Sequence, residues 1–519
     1  MLDRLDHSLR AAPERPAILG ATRAGAPKVL ATRGDLTAMA DAYATALHAR
    51  GLRPGDTVGV AVRPGPRALA IMLALWRLHL RGAVLDPGAG PEVLRARLAL
   101  APPALILADA TAQAAAGWAR PLARRAGLSL PALDGLGPVA TVGRRLPGCA
   151  PKLEPATTAG PLSGGDGDAD AVIVFTSGTT TRPRAVVHTR SSLAAGMEAV
   201  ASMVPARPGL PVLGGTFFVL VPCLAQGAPV ALPARSPRTL ARQLHRTVPQ
   251  STYLTPPQLR AALAEDAPFA GSVWTGSAPA SRELLGRVRE SGADEAWGVY
   301  ALTELFPAAA VESREKAAYE EEGPGLGDLV GAPLPGVSAK PEADGELLLA
   351  GPAARHRYLG EEPDPWVRTG DRAHLDDAGR IVLEGRCKEM VLRGAENIYP
   401  GLYEPRLQLP GVELALLVGV PAGDGDERLA ALVQPRPGVS VRALRAALEE
   451  PLRRMGTARP DAVLFAEVPL SGRSRKPDRE AASRIAAGLM AGGGPVAPTG
   501  SVAPTDSTAS TNSAGERGS

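Results

Sequence analysis

The chain is poor in cysteine, in aromatic residues and in lysine. Only three cysteines occur among 519 residues, Cys149, Cys223 and Cys387. They lie far apart, with no CxxC and no Cys/His ligand spacing, which excludes a disulfide framework and a structural zinc site. Cys223 and Cys387 read as small buried hydrophobes. Aromatic residues make up 3% of the chain, and the net charge is only +4. The basic residues are spread out and not interleaved with rings, so nucleic acid is excluded as a partner. Long apolar runs are absent too. Ala68 to Trp76 stops at Arg77, far short of the roughly 20 residues that span a bilayer, so no membrane span is expected. The opening MLDRLDHSLR has no apolar core of the kind a secretory leader needs. A cytoplasmic location is the expectation. Lysine is scarce: six of the 57 basic residues, at 28, 152, 316, 340, 388 and 476.

What is present is a globular composition, 45% apolar. A length of 519 residues exceeds what one core serves, so two or more domains are expected. Helical spacing marks Leu36 to Arg50 and Arg67 to Leu80. Short apolar strands are read at Thr57 to Val62, Ala83 to Leu85 and Ala104 to Ala108. Such alternation predicts a parallel sheet covered by helices. A Gly/Asp-rich linker covers residues 151–170, and the strand Ala171 to Phe175 follows. Glu346 to Leu349 and Arg380 to Glu384 read as antiparallel strands. Further on, Leu414 to Val420 and Leu429 to Val433 read as strands and Val441 to Glu450 as helix. Residues 488–519 are too poor in bulky apolar groups to bury a core and read as a disordered tail.

The most informative segment is Phe175-Thr-Ser-Gly-Thr-Thr-Thr-Arg-Pro-Arg184. Small hydroxyl residues and a glycine let N–H groups and hydroxyls converge on an anion, and two guanidinium groups add charge. The pattern is not a Walker loop. His188, just beyond, reads as a satisfied polar residue at a strand end.

Six segments in order resemble motifs of the adenylate-forming superfamily, which contains acyl- and aryl-CoA ligases, peptide-synthetase adenylation domains and luciferases. They are the loop from Thr176, the turn Trp274-Thr-Gly-Ser-Ala-Pro279, Tyr300-Ala-Leu-Thr-Glu304, Thr369-Gly-Asp371, the stretch Gly385 to Pro400, and Pro469 to Arg479 with its single lysine. The resemblance spans roughly residues 10 to 485. It implies an α/β fold: a large N-terminal AMP-binding domain of packed mixed sheets with helices, residues 1–384, and a small mobile α+β lid, residues 385–487.

By the same resemblance, Thr176, Ser177, Gly178, Thr179, Thr180 and Arg184 would grip the β- and γ-phosphates of ATP. Tyr300 would offer a flat face to adenine. Asp371 would take the ribose hydroxyls, with Arg386 in support. Thr303 would meet the α-phosphate and Glu304 would hold Mg²⁺. Lys476 would reach the substrate carboxylate and the α-phosphate together, a compact cation at developing charge. Lys388 matches a hinge position, and Gly394 and Ala395 would let the CoA or carrier-protein pantetheine thiol pass. Phe217, Phe218, Trp274, Gly276 and Ser277 would line the acyl pocket.

The chain departs from the family pattern in places. Thr181, Arg184 and Ala185 stand where the loop usually has glycine, lysine and glycine. Ala301 and Arg475 also replace glycines. No Asp or Glu occurs between Glu198 and Glu265, so nothing there pairs an ammonium, and an unpartnered buried ammonium is costly. The expected substrate is therefore a fatty or aryl acid, activated as the adenylate and passed to CoA. Transfer to an acyl carrier protein, or closure of a β-hydroxy acid to a β-lactone, would use the same residues. A nucleotide- or acyl-binding protein without turnover is the reading of another class, supported by the altered phosphate loop.

Overall fold

The computed structural model describes residues 1–85, 91–125, 133–153, 168–176, 184–322, 326–393, 396–423, 426–471 and 475–491. The chain divides into two compact units. The larger contains Met1–Met390, Tyr399–Pro410 and Leu470–Asp478; the smaller contains Val391–Ile398, Gly411–Pro469 and the chain from Arg479 on. The break thus falls after Met390, beyond residue 384 where the motifs suggested it. Two later segments, one of them carrying Lys476, belong with the large unit.

Among the described residues, three large sheets and one two-strand hairpin build the large unit. In the first, Thr57–Ala61 lies between Arg81–Val84 and Leu105–Asp109, parallel to both. Thr57–Ala61 and Leu105–Asp109 are buried along their whole length. Strands covered on both faces need continuous apolar runs, which is why these were legible. Parallel order continues out to Asp170–Thr176 on one side and Val139–Val142 on the other. There the parallel order ends and the sheet becomes mixed, as the motifs implied. Arg184–Thr189 folds back along Asp170–Thr176, pairing Thr176 with Arg184 across the phosphate-loop segment. Arg357–Tyr358 adds to it antiparallel.

The second sheet has eight strands. Its core runs parallel through Ser251–Tyr253, Ser272–Thr275 and Glu295–Tyr300, and Ala309–Glu312 returns antiparallel. One apolar cluster joins the two large sheets. It holds Ile18 and Val230 of the eight-stranded sheet and Val172 of the other. Leu5, Leu36, Leu69, Met197 and Leu220 from helices lie between them. Each such side chain contributes about 1.5–3 kcal/mol on burial. The helix Arg33–Ala49 starts on a reciprocal cap between Thr32 and Asp35. The helix Arg190–Met203 starts the same way on Thr189 and Ser192.

The third sheet is antiparallel: Asp328–Gly331, Ile381–Arg386, Val367–Leu375, Glu346–Ala350 and Ser338–Pro341. Along Val367–Leu375, buried and more exposed residues alternate, which places Thr369, Asp371 and Ala373 on the inner face.

The small unit pairs Val412–Gly423 antiparallel with Asp426–Pro435, which runs parallel to Ala462–Phe465. Helix Val441–Arg453 buries Leu444, Leu448 and Leu452, spaced four apart on one face. No helix among the described residues is long and apolar enough to cross a membrane.

Candidate functional site

In the large unit, residues far apart in sequence converge on Asp371. The strands Val367–Leu375 and Ile381–Arg386 place Asp371 directly opposite Arg386. Arg386 Nε lies 2.8 Å from Asp371 Oδ1, and its NH1 donates to the Thr369 carbonyl at 3.1 Å. The Tyr300 hydroxyl donates to Asp371 Oδ2 at 2.6 Å. Thr369 Oγ1 accepts from the Asp371 N–H at 3.0 Å and donates to the Leu347 carbonyl at 2.8 Å. The carboxylate, 6% exposed, is therefore fixed at both oxygens. Burial pushes its pKa above the usual carboxylate value, while Arg386, the Tyr300 hydrogen bond and Lys476 pull the other way. Burial, then the Asp371 charge, pushes the Tyr300 phenol well above its ordinary value. Tyr300 was expected only as a flat face; its hydroxyl also orients Asp371.

Lys476 sits on a two-strand hairpin opposite Ser471. Desolvation of its ammonium, followed by the Arg386 cation, lowers its pKa from the ordinary lysine value; Asp371 and Glu389 oppose this. The residue as a whole stays open to solvent. Arg475, before it, has φ 48°, the left-handed region that favours glycine. Ser277, in the turn after Ser272–Thr275, has φ 70°. Arg475 stands where a family glycine was noted as missing, and its backbone keeps the glycine-like conformation. Ala301 is not among the residues of positive φ.

Thr303 and Glu304 lie in the turn between Glu295–Tyr300 and Ala309–Glu312. His188 Nε2 is 2.8 Å from the Thr303 carbonyl. The Arg355 N–H donates to the Glu304 carbonyl at 2.6 Å. The Tyr358 hydroxyl donates to Glu304 Oε1 at 3.1 Å. Arg184 and Arg355 stack on the Tyr358 ring, at 3.6 and 4.5 Å from its centre. Arg184 was expected on phosphate; it bonds both Glu361 oxygens at 3.0 Å. Both partners are half exposed, so this pair is weak and releasable. Ser177, Gly178, Thr179 and Thr180 lie outside the described residues, as do Gly394 and Ala395. Thr176 is described only through its backbone pairing with Arg184. Lys388 is exposed and two residues before the break after Met390.

The acyl-pocket candidates separate into two groups. Phe218 packs on Phe306 with centroids 3.8 Å apart, and Phe217 meets Phe218 edge-on at 6.5 Å. Tyr253 packs against the same interlayer cluster. Its hydroxyl lies 3.3 Å from Ser277 Oγ. Gly276 is buried, and a Cβ there would meet the Val299 carbonyl at 3.0 Å. Trp274, by contrast, stacks on Trp297 at 5.0 Å. Cys387, read from sequence as a small buried hydrophobe, is exposed; Cys223 is buried as expected, its thiol pushed up to about 12. His188 is the satisfied polar residue anticipated. Its hold on Thr303, like the Tyr358 and Tyr253 contacts, depends on strand neighbours that no local pattern announces.

As to Mg²⁺, Glu304 supplies one hard oxygen donor beside the turn. The cluster of three carboxylates found among the described residues, Glu342, Asp344 and Glu346, does not include it. A single carboxylate with substrate phosphates and water suits Mg²⁺, so the residue fits.

A family model for AMP-binding enzyme matches residues 5–359. An olefin beta-lactone synthetase from Stenotrophomonas maltophilia is 28% identical over 533 residues, covering 88% of this chain and 91% of that protein. A feruloyl-CoA synthase from Amycolatopsis is 27% identical over 434 residues, covering 78% of this chain and 84% of its own. The solved amide bond synthetase from Marinactinospora thermotolerans shares the fold. Its TM-score is 0.73 at 22% identity, over 93% of this chain and 99% of that one.

Proposed function

The chain belongs to the AMP-binding enzyme family, and from that premise we propose that it activates a fatty or aryl acid with ATP and passes the acyl group to CoA. The acid's carboxylate oxygen attacks the α-phosphorus, pyrophosphate leaves, and an acyl-adenylate forms. The thiolate of CoA then attacks the acyl carbonyl and AMP leaves. The observation that carries this reading is the gathering of Tyr300, Asp371, Arg386 and Lys476 in one electrostatic neighbourhood. Each carboxylate oxygen has a second lone-pair site, so Asp371 accepts ribose hydroxyls while keeping Tyr300 and Arg386. Lys476 brings a compact cation to the charge that builds during attack. Thr303 and the loop from Thr176 to Thr180, with Arg184 released from Glu361, hold the phosphates. Glu304 would hold Mg²⁺, which would supply neutralisation of triphosphate charge.

Phe217, Phe218 and Tyr253, together with the acid-free stretch between Glu198 and Glu265, support an acid without an amine. The small unit acts as a lid turning at Lys388, and pantetheine passes Gly394 and Ala395. The reaction takes place in the cytoplasm. The likeness to an olefin beta-lactone synthetase over most of both chains favours a second reading, closure of a β-hydroxy acid through its adenylate. Carrier-protein loading is the third acceptor to test.

The test is AMP release from ATP and Mg²⁺ over a panel of fatty, aryl and β-hydroxy acids, with and without CoA. Acid-dependent AMP with acyl-CoA in the mass spectrum supports the ligase. A dehydrated product of the acid's mass less water supports ring closure. No AMP release with any acid tested, alongside tight ATP binding, favours a binding protein instead.

A further inference from the structure

We infer that His188 is a positioning residue that ties the strand leaving the phosphate loop to the turn carrying Thr303 and Glu304. The inference rests on the adenylation reading for its kinetic part and on geometry for the rest.

His188 is 1% exposed and lies near the end of the strand Arg184–Thr189. Its Nε2 meets the Thr303 carbonyl at 2.8 Å. A carbonyl only accepts, so Nε2 carries the proton and Nδ1 is the acceptor in the neutral ring. Ser192 Oγ lies 3.4 Å from Nδ1. Ser192 belongs to the cap that starts helix Arg190–Met203, so the ring's far side is anchored to a rigid element. The Phe306 ring packs edge-on against the imidazole, with centroids 5.6 Å apart. The imidazole is thus held on three sides and points one N–H at the turn.

That turn has few bonds of its own. Leu302 N–H donates to the Leu305 carbonyl and Ala308 N–H to the Tyr300 carbonyl, both at 2.9 Å. The carbonyls of Thr303 and Glu304 are instead held from outside, by His188 and by the Arg355 N–H. The His188 contact fixes the peptide plane between Thr303 and Glu304. Arg184, across from Thr176, begins the same strand that ends beside His188. Moving the imidazole therefore moves the phosphate-loop strand and the turn out of register. A misplacement on the order of 1 Å can cost about a hundredfold in rate.

The test uses the full chain and three substitutions, His188→Gln, His188→Asn and His188→Leu. Glutamine can place an amide N–H near where Nε2 stood; asparagine is too short and leucine has no donor. The expected result is ATP–pyrophosphate exchange within a few-fold of wild type for His188→Gln. His188→Asn and His188→Leu should lose about 10- to 100-fold in kcat, with KM for the acid unchanged and more Mg²⁺ needed for half-maximal rate. Hydrogen exchange should quicken across residues 301–308 in those two alone. If the three variants share one kcat and one exchange rate, His188 is only a packing residue and the inference falls. If wild type shows no pyrophosphate exchange with any acid, the adenylation reading fails, and hydrogen exchange over residues 301–308 still decides whether His188 holds the turn.

Discussion

The two ends of the candidate nucleotide site are held in different ways. At the Asp371 end, side chains stand on two strands of a regular antiparallel sheet. The ladder sets Asp371 against Arg386, and Thr369, Tyr300 and Arg386 then fix the carboxylate by several bonds at once. At the Glu304 end, the functional side chains stand on an irregular turn. Single contacts from elsewhere hold it, from His188, Arg355 and Tyr358. A sheet makes position redundant, because many ladder bonds share the load. A turn makes position depend on each neighbour, and it is also the place where backbone is free to adjust as phosphates arrive.

Four substitutions break or sharpen that contrast. The largest effect is expected at Lys476, which lies in the electrostatic neighbourhood of Asp371 and Arg386 but on a separate hairpin. Lys476→Ala should lower acyl-adenylate formation by about 10³-fold while ATP binding changes only a few-fold. AMP release and equilibrium nucleotide binding measure the two. Unchanged turnover would remove Lys476 from the chemistry.

At the sheet end, Asp371→Asn leaves Arg386 beside a neutral amide and removes a charged acceptor. Such bonds are worth about 1.5–3 kcal/mol each, so KM for ATP should rise by about a hundredfold. The strand pairing should survive, with far-ultraviolet circular dichroism as in wild type. Loss of the fold instead would mean that the sheet end is no more redundant than the turn.

At the turn end, Tyr358→Phe removes one neutral donor from Glu304 Oε1. The loss is about 1 kcal/mol, read as an increase of about fivefold in the Mg²⁺ needed for half-maximal rate. No dependence on Mg²⁺ concentration in this variant beyond that of wild type would show that Glu304 is placed without Tyr358.

The smallest effect is expected at Arg475→Gly. Relief of the left-handed backbone should raise stability by up to about 1 kcal/mol, seen as a slightly higher melting temperature with unchanged turnover. A fall in turnover would mean that the Arg475 side chain itself serves the site.

Much of the fold was open to reading because local chemistry repeats. The strands Thr57–Ala61 and Leu105–Asp109 announce themselves as short, mostly apolar runs. Helix Val441–Arg453 announces itself as leucines four apart. The site was open only as an ordered set of short motifs, each carrying one or two chemical groups. Partners were not. Arg184, assigned to phosphate, also engages Glu361, which lies 177 positions away. Trp274, grouped with Phe217 and Phe218, finds its partner in Trp297 of the adjoining strand. Cys387 was read as buried, yet it follows Arg386 out of the sheet into solvent.

The sequence by itself determined the elements and the kinds of chemical group they carry. Period and composition depend on near neighbours along the chain. Only the tertiary structure decided that the Tyr300 hydroxyl meets Asp371, that His188 meets Thr303 and that Lys476 joins the large unit. Those meetings depend on which strands lie side by side and in what register. An alternating pattern says which face a residue occupies, but it leaves open which residue waits across the gap.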